Sequence, residues 1–315
     1  MSLAPISQKW PADRAILFVH GIGNAKPGDC DALINLLKEG LGAEAGKYAY
    51  YPLYYDEIND WFKEKANFSE AIKALKNAIK PNLGNDNISD TIAEYSGDII
   101  WPVLSYAAYD TIQTFYAAQL QRMIMDGADS GVSAAKQKIS IICHSMGCFH
   151  TYEMLHKASD NPLLNLTPDK LCFANVIFMA SPVQLIRTVA QKSKALVSDK
   201  LAVLKSSGLF CPSKKTIFWK YYSTKNWVSI TGDYDPVGGY LMKKKLDWAY
   251  MDVLTQKSIV DKQDMLNINT AADLASVLGQ ALISGGPPNI TVNNPHSWEN
   301  YVKNHQEEIK QWLIA

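Results

Sequence analysis

The sequence lacks an excess of either charge, and this absence removes two classes of partner. Its 315 residues include 31 Lys and Arg and 31 Asp and Glu, so the formal net charge is zero at pH 7. A chain without a basic excess offers no electrostatic footprint for nucleic acid or for an anionic membrane surface. We therefore expect no nucleic acid partner.

Long apolar runs are also absent. A membrane-spanning helix needs about 20 consecutive apolar residues. The richest stretch, 99–120, is interrupted by Pro102, Asp110 and two glutamines. The first residues do not show a charged segment followed by an apolar core, which is the pattern of a secretory signal. We expect a cytoplasmic protein without stable membrane insertion.

Cysteine is scarce, and metal-binding or phosphate-binding motifs are missing. Five cysteines without paired spacing do not suit a disulfide framework. The Asp/Asn-rich segment 85–87 lacks the spacing of a calcium-binding loop, and no Gly-Lys-Ser/Thr follows the glycines at 285–286. We expect neither a metal nor a cofactor.

Short apolar runs alternate with helical periodicity along the whole chain, which predicts an α/β fold. Such alternation is typical of a mostly parallel sheet with helices on both faces. Pro52 places the second strand near an edge of the sheet, because proline cannot donate to a ladder. We interpret residues 1–315 as one domain. The predicted strands are 15–19, 48–55, 139–142, 176–180, 227–231 and 290–292, and the clearest helices are 31–41, 146–157 and one that begins near Ser297.

Two helical insertions, 57–132 and 183–214, interrupt this alternation. Either they form a cap over the carboxyl ends of the strands, or their apolar faces pack directly on the sheet. Their aromatic residues suit both interpretations. In the first insertion they include Trp101, Tyr106, Tyr109, Phe115 and Tyr116.

The most informative motif is Cys143-His144-Ser145-Met146-Gly147, which follows the third predicted strand. It differs by one residue from the G-x-S-x-G nucleophile elbow, in which a serine is exposed on a tight strand-to-helix turn. Gly147 provides the small residue needed after the serine. Cys143 provides the one before it only approximately, because cysteine carries a Cβ atom. Ser145 could otherwise be a simple helix N-cap.

The order of other polar segments supports the interpretation of Ser145 as a nucleophile. His20-Gly21-Ile22-Gly23 follows the first strand, Asp235 follows the fifth and His296 follows the last. Parallel sheets bind their ligands at the carboxyl ends of strands. In this order of motifs the chain resembles the α/β-hydrolase superfamily, and within it the lipase-like serine esterases with a His-Gly-x loop.

The resemblance implies a catalytic triad. Ser145 would be the nucleophile, His296 the base and Asp235 the acid that orients the imidazole. Asp233 remains an alternative acid, because it follows the same strand. Pro236 would stiffen the backbone beside Asp235, which favours the latter.

The resemblance also implies an oxyanion hole. Its donors would be the backbone amides of Ile22 and Met146. His20 and Gly21 would hold the first loop, and Gly147 would support the elbow.

Other histidines fit the role of base less well than His296. His144 lies beside the nucleophile but on the opposite side of the turn. His150 and His156 fall on the following helix, and His305 falls on an apolar helical stripe.

Three functions are consistent with these residues. The first is a serine hydrolase that cleaves a small-molecule carboxylic ester through an acyl-enzyme intermediate. The second is an acyltransferase or thioesterase with the same triad. The third is a non-catalytic binding module on the same fold, because fold alone does not fix function.

Overall fold

A computed structural model describes residues 4–21, 27–58, 61, 106–157, 173–183, 224–232, 257–261 and 297–315. Within these ranges the strands are β1 (Arg14–Val19), β2 (Tyr48–Leu53), β3 (Lys138–His144), β4 (Phe173–Met179), β5 (Thr224–Gly232) and β6 (Lys257–Asp261). The α-helices are α1 (Asp31–Leu41), α2 (Tyr106–Asp129), α3 (Met146–Lys157), α4 (Trp298–Asn304) and α5 (Gln306–Ile314).

The six strands form one sheet in the order β2-β1-β3-β4-β5-β6, and every neighbouring pair is parallel. The chain moves from β1 outward to β2 and then crosses back to β3 on the other side of β1. This reversal is a topological switch point, where parallel α/β sheets leave a crevice outside the strand ends. The carboxyl ends of β1 and β3 meet there, with Val19 paired to Cys143.

Helices cover both faces of the sheet, because alternate side chains of a strand point to opposite faces. Leu17 and Cys143 belong to the core cluster that contains α2 and α3. Ile16 and Ile142 belong to the cluster that contains α1, α4 and α5. The arrangement is therefore a three-layer α/β architecture with a parallel sheet in the middle.

The structure confirms the first five predicted strands and the position of β2 at the edge of the sheet. It also contains β6 at Lys257–Asp261, which the sequence analysis did not predict. The predicted strand at 290–292 lies outside the described residues. The predicted C-terminal helix is present but is divided at His305 into α4 and α5.

The described part of the first insertion packs on the sheet. Tyr109 and Tyr116 of α2 are fully buried in the same cluster as Phe149 of α3. The ring centroids of Tyr109 and Phe149 are 6.3 Å apart. Trp101 and nearly all of 183–214 lie outside the described residues, so a cap built from those segments stays a prediction. None of the helices described has the length and apolar character needed to cross a membrane.

Candidate active site

Ser145 occupies a strained turn between β3 and α3. Its φ angle is 50°, which is in the left-handed region that non-glycine residues rarely adopt. Its N–H donates to the Met179 carbonyl at 3.0 Å, and its own carbonyl accepts from the Cys148 N–H at 2.9 Å. Holding a residue in this conformation costs about 1–3 kcal/mol, so the surrounding contacts must impose it. The turn has the strand-turn-helix form of a nucleophile elbow.

Gly147 allows the first turn of α3 to lie directly against the end of β1. A Cβ atom at this position would be 2.2 Å from the Val19 carbonyl oxygen and 2.5 Å from that of His20. Both neighbours are backbone atoms, which cannot rotate away as the end of a flexible side chain can. The close approach of helix and strand therefore requires glycine at 147.

Gly21 places the loop after β1 against the serine. A Cβ atom on Gly21 would lie 2.7 Å from Ser145 Cβ and 3.4 Å from Ser145 Oγ. Two segments that are far apart in sequence are thus in contact at the switch point. Met146 begins α3 beside them and is buried.

His20, the residue before Gly21, is buried and is neutral at physiological pH. Burial lowers the pKa of His20 to about 4, although its hydrogen bond to Gly21 and the charge of Asp29 act in the opposite direction. The ring Nδ1 lies within hydrogen-bond distance of the Gly21 carbonyl, which can only accept, so Nδ1 carries the proton. The same Nδ1 is 3.7 Å from Asp56 Oδ2.

Tyr55 was not singled out by the sequence analysis, although it contacts the same loop. It follows β2 and is fully buried. Its hydroxyl lies 2.7 Å from the His20 carbonyl oxygen and 3.1 Å from the Gly21 carbonyl oxygen, and it has one proton to share between these two acceptors. Its ring stacks on His20 with centroids 4.4 Å apart. The feature that could have pointed to Tyr55 is its position just beyond β2, the strand that pairs with β1.

His144 is held by aromatic rings on the α4 side of the sheet. Its ring stacks on Trp298 with centroids 5.6 Å apart, and the Tyr301 ring is at 6.3 Å. Trp298 also packs against Phe18 at 6.2 Å. The start of α4 therefore lies beside the residue that precedes Ser145.

Two further histidines are buried in the packed layers. His150 on α3 is fully buried, and burial lowers its pKa to about 3. Neither of its ring nitrogens has a hydrogen-bond partner among the residues described. His305, between α4 and α5, is also buried. The side chain of His156 lies outside the described residues.

The structure brings together five of the residues predicted for the site: His20, Gly21, Ser145, Met146 and Gly147. Four others, Ile22, Asp233, Asp235 and His296, lie outside the described residues. Asp233 directly follows Gly232 at the end of β5, and His296 directly precedes Ser297 at the start of α4. Within the described ranges, no group of three or more His, Cys, Asp or Glu side chains could hold a metal ion.

Comparison with known proteins names no family for the chain. No family model matches it, and no curated protein matches it. An esterase from Pyrococcus furiosus, solved in two crystal forms, is structurally similar over 93% of this chain. The first form has 12% identity, a TM-score of 0.32 and 83% of its own chain covered. The second has 11% identity, a TM-score of 0.31 and 82% covered. The case for a function comes from the residues of the site.

Proposed function

We propose that this protein is a serine ester hydrolase of the α/β-hydrolase fold, with Ser145 as its nucleophile. The observation that carries the proposal is the left-handed turn at Ser145, with Gly21 packed against its side chain. A serine in a helix N-cap needs no such strain, because N-cap residues have ordinary β-region angles.

The same geometry supports an oxyanion hole at the switch point. The amide of Met146 belongs to the first turn of α3, where backbone N–H groups and the helix dipole favour negative charge. The amide of Ile22 would come from the loop that Gly21 brings against the serine. Each such donor lowers the barrier for a developing oxyanion by about 3–4 kcal/mol.

His296 is the base in this proposal. It is two residues from Trp298, and two residues of extended chain span at most about 7 Å. The Trp298 ring packs on His144, next to the serine. The chain between them is therefore short enough for His296 to act at this site.

The acid is proposed to be Asp235, with Asp233 as the alternative. Both follow β5, which lies two strands from β3 in the sheet. At about 4.8 Å between strands, this separation is roughly 10 Å, which an imidazole placed between serine and carboxylate can bridge. The acid would fix the tautomer of His296 and stabilise its charged form.

In the proposed reaction, Ser145 Oγ attacks the ester carbonyl carbon while His296 accepts the hydroxyl proton. The tetrahedral intermediate then collapses, the carbon–oxygen bond to the alcohol breaks, and His296 returns the proton to the leaving alcohol. A water molecule, deprotonated by the same imidazole, hydrolyses the acyl-enzyme and regenerates the serine. The substrate is a small-molecule acyl ester, and no metal or cofactor takes part.

The test is covalent labelling with a fluorophosphonate probe, followed by hydrolysis of esters of varied acyl length. We expect labelling of the wild-type protein, no labelling of Ser145→Ala, and retained labelling of Ser181→Ala. Ser181 follows β4 at the same edge of the sheet, so it is a matched control for the loss of a hydroxyl. Wild-type protein that is neither labelled nor hydrolytic would refute the proposal.

Two additional measurements refine this assignment. Asp235→Asn should lower kcat far more than Asp233→Asn does, and the opposite ranking would make Asp233 the acid. Product analysis with added alcohols and thiols separates hydrolysis from acyl transfer, since a transferase would form the new ester or thioester instead of the free acid.

A further inference from the structure

The hydroxyl of Tyr55 lies between two consecutive backbone carbonyls beneath the candidate active site. It is 2.7 Å from the His20 oxygen and 3.1 Å from the Gly21 oxygen, in a fully buried environment. These carbonyls belong to the loop whose glycine packs against Ser145. The hydroxyl therefore contacts the part of the backbone that would deliver an oxyanion donor.

Peptide planarity transmits this contact to the opposite side of the loop. In a trans peptide the carbonyl and the following N–H are antiparallel and share one rigid plane. A bond that fixes the His20 carbonyl also fixes the direction of the Gly21 amide.

We propose that Tyr55 is a positioning residue, whose hydroxyl holds the backbone of His20 and Gly21 in place against Ser145. The inference rests on the proposed ester hydrolase function. Tyr55 acts through the backbone and does not touch the substrate.

The surroundings of Tyr55 suit this role. Its ring is fixed between His20, stacked at 4.4 Å, and His150, in edge contact at 4.9 Å. Burial raises the pKa of the Tyr55 hydroxyl well above its usual value, so the group remains a donor at all working pH values. The His20 Nδ1 is a second donor to the Gly21 carbonyl, so two side chains hold this carbonyl.

Tyr55→Phe tests the proposal because it keeps the stacked ring and removes only the hydroxyl. We expect kcat for ester hydrolysis to fall roughly 10- to 100-fold, because a displacement of about 1 Å in a catalytic group has an effect of this size. KM should change by less than about twofold, since the oxyanion forms only in the transition state. The affinity of a boronic acid, which forms a tetrahedral adduct with the serine, should fall in parallel with kcat.

Tyr51→Phe is the matched control. Tyr51 is equally buried and lies on β2, and its hydroxyl donates to Asp126 at 2.9 Å or to the Gln8 carbonyl at 3.1 Å, away from the loop. This variant should lose stability and keep the wild-type kcat.

Folding of each variant is checked by circular dichroism before the kinetics are compared. A folded Tyr55→Phe protein with kcat within about twofold of wild type would overturn the inference, as would an equal loss of kcat in Tyr51→Phe. If Tyr55→Phe does not fold, Tyr55→Met tests the same claim, because methionine fills the space with a flexible apolar side chain and also lacks the hydroxyl, and a wild-type kcat in that variant would overturn it. A wild-type protein that hydrolyses no ester would remove both the proposed function and this inference.

Discussion

Replacement of Gly147 by alanine should damage both stability and activity, and the structure sets the size of the effect. The new Cβ atom would be 2.2 Å from the Val19 oxygen, 2.5 Å from the His20 oxygen and 2.8 Å from the Val19 carbonyl carbon. All three are backbone atoms at the end of β1. To restore an ordinary contact, α3 and β1 must separate by about 1 Å in a region packed at crystal-like density.

Two opposing terms determine the change in the free energy of unfolding. Overpacking of a core typically costs about 1–3 kcal/mol and sometimes more. Alanine in a helix gains at most about 1 kcal/mol over glycine. Because two carbonyl oxygens are involved and neither can move alone, the overpacking cost should reach the upper end of its range. We expect a net destabilisation of about 2 kcal/mol or more.

The assay combines urea unfolding with ester hydrolysis. The midpoint of unfolding should fall, and kcat should fall about 100-fold, because the elbow moves relative to the Gly21 loop. Gly46→Ala is the control: its Cβ would meet nothing within 4 Å. That variant should keep its activity and either keep its stability or gain about 0.4–1 kcal/mol. Wild-type stability and kcat in Gly147→Ala would refute the packing argument.

The remaining predictions concern the loop and the buried histidines. Gly21→Ala would place a Cβ atom 2.7 Å from Ser145 Cβ, so the melting temperature should fall and kcat should fall about 100-fold, and an unchanged kcat would contradict the role proposed for this contact. Burial lowers the pKa of His20 to about 4 and that of His150 to about 3, so both folded-state values lie below the ordinary value of about 6.5. Below about pH 6.5 the two histidines take up protons in the unfolded chain before they do so in the folded protein. Their contribution to the free energy of unfolding is therefore fully present above about pH 6.5 and decreases as the pH falls towards 4 for His20 and 3 for His150. His150→Phe removes no hydrogen bond from either ring nitrogen. Between pH 7 and pH 5, the free energy of unfolding of this variant should therefore decrease by about 2 kcal/mol less than that of the wild type, as measured by urea unfolding. An identical decrease in the two proteins would show that His150 is not the cause.

The sheet was predictable where the strands are continuous and apolar. The run Ala15–Val19 is buried on both faces, as a central parallel strand must be, and Pro52 correctly marked the edge strand. The strand β6 was missed because only Ile259 and Val260 are apolar within it, and charged residues stand at both its ends. Two apolar residues give no periodicity from which a strand can be distinguished from a loop.

The candidate site was predictable where its chemistry lies in a local motif. Ser145 and Gly147 are recognisable from a five-residue pattern, because the residue with the strained φ angle and the glycine that lies against the end of β1 are two positions apart. The role that we infer for Tyr55 depends on the pairing of β1 with β2, which brings residues about 35 apart in sequence into contact. Sequence alone could not show that contact. It also could not decide whether α2 forms a cap or packs on the sheet, because an apolar helix face suits both.

The structure also accounts for the cysteine at the first position of the elbow motif. Glycine is required only where a Cβ atom has no room or where φ is positive. Among the described non-glycine residues φ is positive at Ser145 and Ala180, and Cys143 is not one of them. The Cys143 side chain is buried in the layer of α2 and α3, and its thiol donates to the Ile177 carbonyl at 3.4 Å. The crowding that the motif must relieve falls instead on Gly147 and Gly21, so a small side chain at 143 is compatible with the turn that Ser145 needs.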